Sequence, residues 1–440
     1  MIIVDTALEK REREGNPIRV GLVGAGYMGR GVALQFLTPI IGMRLVAIAN
    51  RTVSEAERAY REAGADSIQR VESVATLETA ILNRRFAITD DPGLLCEAAG
   101  VDVIIEATGE IEFGAGVVVD AIKNGKQVVL LNAELDATIG PILKVRADRA
   151  GVVITNTDGD EPGVAMNLYR FVKTIGLKPL LVGNLKGMID CRRTPETQRA
   201  FAEKYKQKPA MITSFADGTK LSMETTVLAN ATGFKVGKRG MYGHSCAHVK
   251  DVAQFFPLEL FKDGGLVDYV LGAEPDTGAF VVGHSDHPIK QQYLNYFKMG
   301  EGPLYVFYTP YHLPHVQIAT SAARAVLFQD ATVTAKGKPM CDVITLAKRS
   351  LTKGEILDGI GGFTCYGVIE NYAESIKQDL LPMGLSDGCR LKVDVRQDQA
   401  IGYSDIELPE GRLSDKLRDE QNIYFDLSAL RTNRSTTEGR

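Results

Sequence analysis

Three glycines in the arrangement Gly24-Ala25-Gly26-Tyr27-Met28-Gly29 follow the apolar run IRVGLVG and open a stretch with helical spacing. A strand, a glycine turn and a helix in that order build a phosphate site. Gly24 permits the tight turn, Gly26 lets a pyrophosphate reach the backbone, and Gly29 lets the helix sit close to the strand. The helix start at Tyr27 and Met28 then offers backbone N–H groups and partial positive charge to the phosphates. A dinucleotide cofactor is therefore expected. Where an NAD site carries an acid for the ribose 2′-hydroxyl, this chain has Asn50-Arg51-Thr52. A carboxylate would repel a 2′-phosphate, whereas Arg51 can pair with it and stack on adenine, so NADP(H) is favoured over a merely solvated Arg51. Thr108 and Gly109 end a later strand on the nicotinamide side, and Asn132 ends the next one, facing the same crevice.

A second set of residues has types suited to substrate chemistry. Asp158, Asp160 and Glu161 stand in DGDEPG after another strand, and carboxylates so close repel one another unless cations neutralise them. They could bind Mg²⁺ or Mn²⁺ with substrate oxygens, or form an acidic helix cap. Lys186, Arg192 and Arg193 in NLKGMIDCRRTP suit a phosphate or carboxylate, against the alternative of a solvated basic loop. Lys220 and Glu224 stand at i and i+4, hence on one helix face, as a proton-transfer pair or as a surface ion pair. Asn230 is expected on the face of that helix that carries Lys220 and Glu224, as a further candidate catalytic residue. The six histidines fall in H-x-x-H and H-x-x-x-H spacings without cysteine partners, so buried packing is the expected role for most of them. His315, just before a returning helix, is a candidate to face substrate, as are Tyr242, His244, Tyr311 and His312.

The elements that must position these residues follow from apolar periodicity. Strands at 18–24, 45–50, 101–109, 127–132 and 152–156 alternate with mixed-polarity helices, as in a parallel sheet covered on both faces. The expected fold is α/β: a Rossmann domain over 1–160, an α+β substrate and dimerisation domain over 161–310, and a small C-terminal β-rich domain over 331–430. A helix over 311–330 is expected to return to the first domain, and 431–440 form a polar, frayed tail.

The blocks VGLVGAGYMGRG, IANRT, VIIEATGE and VVLLNAELDATIGPIL resemble the N-terminal domain of homoserine dehydrogenases. ITLAKRSLTKGEILDGIGG with LPMGLSDGCRLKVDV is similar to the SAF domain, a β-clip module. Together with MIIVDTALEKREREGNP and NTDGDEPG, the chain resembles, over essentially its whole length, the homoserine dehydrogenase-like family with a C-terminal SAF domain. Within that family it looks like the branch of 1-deoxy-D-xylulose 5-phosphate reductoisomerase-like enzymes. That resemblance implies formation of 2-C-methyl-D-erythritol 4-phosphate for isoprenoid synthesis, and sensitivity to fosmidomycin. Two departures set the chain apart from homoserine dehydrogenase. Asn132 is followed by Ala133-Glu134 rather than lysine, and the helix holding the dehydrogenase's catalytic Asp and Lys here carries Lys220 and Glu224 in reversed order.

A net charge of -4 and a pI near 6.0 give no general attraction to nucleic acid or anionic membrane. No apolar run approaches the ~20 residues needed to span a bilayer, and six scattered cysteines without CxxC suit a reducing compartment. The expectation is a cytoplasmic homodimer or larger homo-oligomer acting on a small phosphorylated substrate. The alternatives are another NAD(P)-dependent dehydrogenase of a hydroxy or amino acid, and a cofactor-binding scaffold without turnover.

Overall fold

The computed structural model describes residues 4–38 and 40–427, so the expected tail at 431–440 lies outside the described residues. In chain order the elements are α1 (Val4–Arg13), β1 (Ile18–Val23), α2 (Tyr27–Leu37), β2 (Met43–Ala49), α3 (Val53–Glu62), β3 (Ile68–Arg70), α4 (Val74–Leu82), β4 (Phe86–Thr89), α5 (Pro92–Glu97), β5 (Val103–Glu106), α6 (Ile111–Lys123) and β6 (Gln127–Leu130). There follow α7 (Ala133–Ala150), β7 (Ile154–Asn156), α8 (Glu161–Thr174), β8 (Lys178–Lys186), α9 (Arg199–Lys204), α10 (Pro209–Ala216), α11 (Thr219–Thr232), β9 (His244–Ser245), β10 (Leu266–Leu271), β11 (Ala279–His284), α12 (Pro288–Tyr296) and β12 (Leu304–Thr309). The rest are α13 (Ile318–Phe328), β13 (Cys341–Ala347), β14 (Cys365–Asn371), α14 (Tyr372–Lys377), β15 (Arg390–Leu391), β16 (Ile406–Glu407) and α15 (Leu413–Tyr424).

The chain divides into two compact units. The first comprises 1–136, 142–163 and 313–334; the second comprises 137–141, 164–312 and 335–440. All but the first few of the residues assigned from sequence to a substrate domain and to a C-terminal domain thus fall in one unit. In the first unit seven parallel strands lie in the order β3-β4-β2-β1-β5-β6-β7. Strand order reverses direction between β1 and β5, which opens a crevice at their carboxyl ends. The strands are Val/Ile-rich because helices cover both faces: Ile18, Val20, Leu22, Val103 and Ile105 are all buried. The stretch before Asp90, irregular by periodicity, contains two strands of this sheet, β3 and β4, only three and four residues long. Runs that short carry too few residues for a period to show.

Helix α13 belongs to this core although it lies far along the chain. Its Ile318, Ala319, Ala322 and Ala323 pack with Leu22, Val32, Val103 and Val129. Alanines at that helix face allow the close approach that larger side chains would prevent.

The second unit is built on a mixed sheet, β12-β11-β8-β10-β9. Strands β8, β9 and β10 run parallel, and β11 joins β8 and β12 antiparallel. Phe256, Phe261, Phe280, Leu181 and Val270 fill one face. Helix α11 is buried at every residue despite its polar composition, and it ends on Gly233 in the left-handed region, as expected of its glycine cap. The C-terminal part contributes two antiparallel pairs, β13–β14 and β15–β16, stitched by isolated bridges such as Ile344–Pro382 and Leu351–Val395. Among the described residues no helix is long and apolar enough to cross a membrane.

Candidate functional site

In the first unit the glycine turn shows the two backbone constraints its spacing implied, at Gly24 and Gly29. A Cβ on Gly24, whose φ is +103°, would come within 2.8 Å of the Ala107 carbonyl. On Gly29 it would lie 2.0 Å from the Gly24 carbonyl, so only glycine lets α2 start this close to β1. A Cβ on Gly26 would meet nothing within 4 Å. The packing of the protein does not require glycine there. A ligand approaching the backbone does. Tyr27 and Met28 follow as the first residues of α2, Tyr27 exposed and Met28 half-buried.

Asn50 faces this loop rather than solvent. Its Oδ1 accepts from Ala25 N at 3.0 Å and its Nδ2 donates to Thr52 O at 2.9 Å, so it braces the turn. Arg51 is exposed and makes no ion pair among the described residues. Thr108 donates its backbone N–H, at 2.8 Å, and its hydroxyl to Glu106 Oε1. Glu106 was not singled out from sequence; its one signal is an acid closing an apolar strand, VIIE. Burial pushes its carboxyl above the usual range, although the Thr108 donors pull it down. Gly109 takes a left-handed φ of +71°. Asn132 is fully buried, caps α7 by accepting from Leu135 N at 3.1 Å, and donates to Glu110 O at 3.2 Å. It ties the end of β6 to the loop after β5. Near it, Asp136 accepts from Asn156 Nδ2, and burial raises its carboxyl to about 7.

The acidic loop is not a free trio of carboxylates. Asp158 is buried and receives Arg324 Nη1 at 2.8 Å, Ser321 Oγ at 2.9 Å and Thr332 Oγ1 at 2.7 Å. It therefore fastens the loop to α13, and this corrects the metal-ligand reading of Asp158. Both of its oxygens are committed to protein donors, because an arginine brought by the returning helix supplies the neutralising cation. Among the described residues no group of three or more His, Cys, Asp or Glu is arranged to hold a metal ion. With Asp158 committed in this way, the three carboxylates do not act together as a Mg²⁺ or Mn²⁺ ligand set. Asp160 and Glu161 are buried beside it, Glu161 opening α8.

His315 belongs to this unit. Leu313 N donates to Gly159 O at 2.8 Å and Thr157 Oγ1 to Pro314 O at 3.0 Å, which fixes the turn before α13. The His315 ring lies over Gly31 of α2, where a Cβ would come within 2.6 Å of it. Burial lowers its pKa, so the ring is neutral at pH 7. The other histidines do not gather. His244 stacks with Phe255 at 5.1 Å, His248 and His287 accept from nearby backbone N–H groups, and His312 Nδ1 lies 3.1 Å from Thr277 Oγ1. Tyr311 is exposed, and Tyr242 is held by its backbone N–H to Asp268, 2.9 Å away.

In the second unit Lys220 and Glu224 are 8% and 3% exposed, which rules out the surface ion pair. Glu224 Oε2 lies 3.5 Å from Nζ of Lys186, at the end of β8. The sheet and the buried helix thus bring together an ammonium and a carboxylate 38 residues apart. The basic loop does not converge on a single point. Arg192 donates to Lys348 O at 2.8 Å and pairs with Asp398, which also accepts from Tyr366 OH at 2.7 Å. Arg193 Nε lies 3.0 Å from Asp190 Oδ2, an ion pair without hydrogen-bond alignment. Asn230 is a correction. Its Oδ1 accepts from Met340 N at 2.7 Å and Cys341 N at 3.3 Å, holding the start of β13. Six residues beyond Glu224 on a helix of 3.6 residues per turn, it cannot share that face.

Two family models match the chain. The NAD binding domain of 3-hydroxyacyl-CoA dehydrogenase matches residues 19–113, and the catalytic domain named oxidoreductase DRL matches 159–318. No curated protein matches. Several solved structures are similar at low identity. A probable dehydrogenase from Thermotoga maritima aligns at 14% identity over 60% of this chain and 72% of its own, with a TM-score of 0.37. A putative myo-inositol dehydrogenase from Sinorhizobium meliloti 1021 aligns at 12% over 70% and 85%, also at 0.37. Biliverdin reductase from Synechocystis sp. PCC 6803, solved with biliverdin and NADP+, aligns at 18% over 40% and 48%, at 0.28. With a glycine turn whose open position suits a pyrophosphate, followed by a segment similar to an oxidoreductase catalytic domain, the chain is a nicotinamide-dinucleotide-dependent oxidoreductase of Rossmann type.

Proposed function

We propose that the protein is an NADPH-dependent reductoisomerase that converts 1-deoxy-D-xylulose 5-phosphate to 2-C-methyl-D-erythritol 4-phosphate. The observation that carries this reading is the contact of the half-buried Lys186 with the buried Glu224, on the same helix as Lys220, inside the segment similar to the oxidoreductase catalytic domain. A hydride-transferring dehydrogenase needs one proton donor. A rearranging enzyme must also take a proton from a hydroxyl and return one as the carbon skeleton changes. A buried carboxylate beside ammonium groups suits that traffic, because their proton affinities respond strongly to one another where water is partly excluded.

In this reading Glu224 accepts the proton of a substrate hydroxyl, Lys186 holds Glu224 in its charged form, and Lys220 polarises the carbonyl oxygen as negative charge develops there. When bound, NADPH supplies the hydride that reduces the aldehyde formed by rearrangement. Arg51 gives the 2′-phosphate its partner, and the N–H groups opening α2 hold the pyrophosphate over Gly26. Arg193 and Lys186 remain candidates for the substrate phosphate. Arg192 is a weaker one, because its guanidinium is engaged with Asp398 and the Lys348 carbonyl.

The test is NADPH oxidation with 1-deoxy-D-xylulose 5-phosphate and, separately, with aspartate semialdehyde, with and without fosmidomycin. Turnover of the sugar phosphate, blocked by fosmidomycin and reduced ~10²–10⁴-fold by Glu224→Gln, is expected. Turnover of the semialdehyde alone makes the protein a simple dehydrogenase and ends the proposal.

A further inference from the structure

Lys348, the residue after β13, is buried and lies in the C-terminal part of the chain, far along the sequence from Lys186, Lys220 and Glu224. Its ammonium donates to Arg193 O at 2.8 Å, to Gly362 O at 2.7 Å and to Asp217 Oδ2 at 2.9 Å. Those three acceptors use all three of its protons. Asp217 in turn accepts from Thr219 N, 2.9 Å from its Oδ1, and Thr219 is the first residue of α11. The same turn is held from a second direction, where Gly367 N donates to Thr219 Oγ1 at 2.8 Å and Ser222 Oγ donates to Gly367 O at 3.2 Å. Lys220 is the next residue along from Thr219, and Glu224 lies one turn further.

We propose that Lys348 is a positioning residue for the Lys186–Lys220–Glu224 cluster. Its ammonium locks the α10–α11 turn and the basic loop to the glycine-rich stretch 359–362, and so sets where Lys220 and Glu224 stand. The C-terminal part of the chain thereby becomes a component of the reaction site rather than an appended module. Several features favour positioning over simple packing. A core-filling residue at this place would be apolar, since a buried ion pair is commonly no more stable than a well-packed hydrophobic replacement. A buried ammonium, by contrast, imposes direction on three backbone segments at once. It also sits at the turn that leads directly into Lys220. Misplacing a reacting group by ~1 Å can cost 10²-fold in rate, so this geometry has kinetic weight.

The inference rests on the proposed function only in treating that cluster as catalytic, and the experiment separates the two. Lys348→Met and Lys348→Arg are compared with the parent in kcat and KM for the sugar phosphate, in NADPH affinity by fluorescence, and in amide hydrogen exchange across 217–224. For Lys348→Met the expected result is at least a tenfold fall in kcat per NADPH-binding molecule, with unchanged NADPH affinity and faster exchange confined to the start of α11. Lys348→Arg keeps the charge and part of the hydrogen bonding, so it should recover part of the rate; it also serves if Lys348→Met does not accumulate folded. Parental kcat in Lys348→Met beside faster exchange would show that the turn does not govern the chemistry. Unchanged exchange at Thr219 and Lys220 would show that Lys348 does not hold the turn. Either result overturns the proposal. A parent without turnover of the sugar phosphate defeats the proposed function, while the exchange comparison still decides whether Lys348 orders the turn.

Discussion

The same substitution three residues apart should have opposite consequences in the cofactor loop. Gly26→Ala adds a methyl where the protein itself has nothing within 4 Å, at φ −70° and ψ −162°, which alanine adopts freely. The unliganded protein should keep its melting temperature or gain slightly, because Gly→Ala at a compatible position stabilises by ~0.4–1 kcal/mol through the unfolded chain. The methyl nevertheless stands where the pyrophosphate must approach. Each charge-assisted N–H bond to phosphate that it lengthens is worth ~1.5–3 kcal/mol, so NADPH should bind ~10–100-fold more weakly for the loss of one. Gly29→Ala instead places its Cβ 2.0 Å from the Gly24 carbonyl, so α2 must move away from β1 by more than an ångström. Overpacking of that kind costs ~1–3 kcal/mol, equivalent to a fall of roughly 2–12 °C in the melting of the first unit. Differential scanning fluorimetry without cofactor and calorimetric titration with NADPH read the two effects separately. Parental NADPH affinity in Gly26→Ala would refute the reasoning, leaving the glycine turn as ordinary architecture with the cofactor elsewhere.

Three further outcomes follow. Arg51→Asp should move the NADPH-over-NADH preference by ~10-fold or more toward NADH, measured by binding, since it removes a charged contact and adds repulsion; an unchanged ratio would make Arg51 a plain surface residue. Asp158→Asn should lower stability by ~3 kcal/mol in urea unfolding, because Arg324 loses its buried partner, while any response of activity to added Mn²⁺ stays as in the parent; a shifted metal requirement would restore a ligand role. Asp136, raised to about 7, retains a proton that the unfolded chain releases, so its contribution to stability is greatest at acidic pH and declines as pH rises from ~4 through 7. Asp136→Asn should remove that slope, and parallel stability-versus-pH curves for parent and variant would disprove the assignment.

The cofactor loop was readable from the chain because its chemistry is local. A strand, three glycines and a helix start are contiguous, and each glycine's role depends on backbone within a few residues of it or on the adjoining strand. The alternation of Val/Ile-rich strands with helices likewise announced a parallel sheet. Its two short strands, β3 and β4, stayed hidden because runs of three and four residues carry no period. Type and spacing also picked out Lys186, Lys220 and Glu224 as chemically interesting. They left open whether Lys220 and Glu224 were a surface pair, because burial is a property of what packs around a helix and not of the helix itself. Only the tertiary structure brought Lys186 against Glu224, committed Arg192 to Asp398, and drew Asn230 to the start of β13. It changed the meaning of Asp158 most. Three nearby acids read as a cation site until α13, some 160 residues later, delivers Arg324 to neutralise one of them. Lys348 and Asp217 had no signal in the chain at all. A lysine and an aspartate 131 residues apart become a buried pair only when the fold removes water from both.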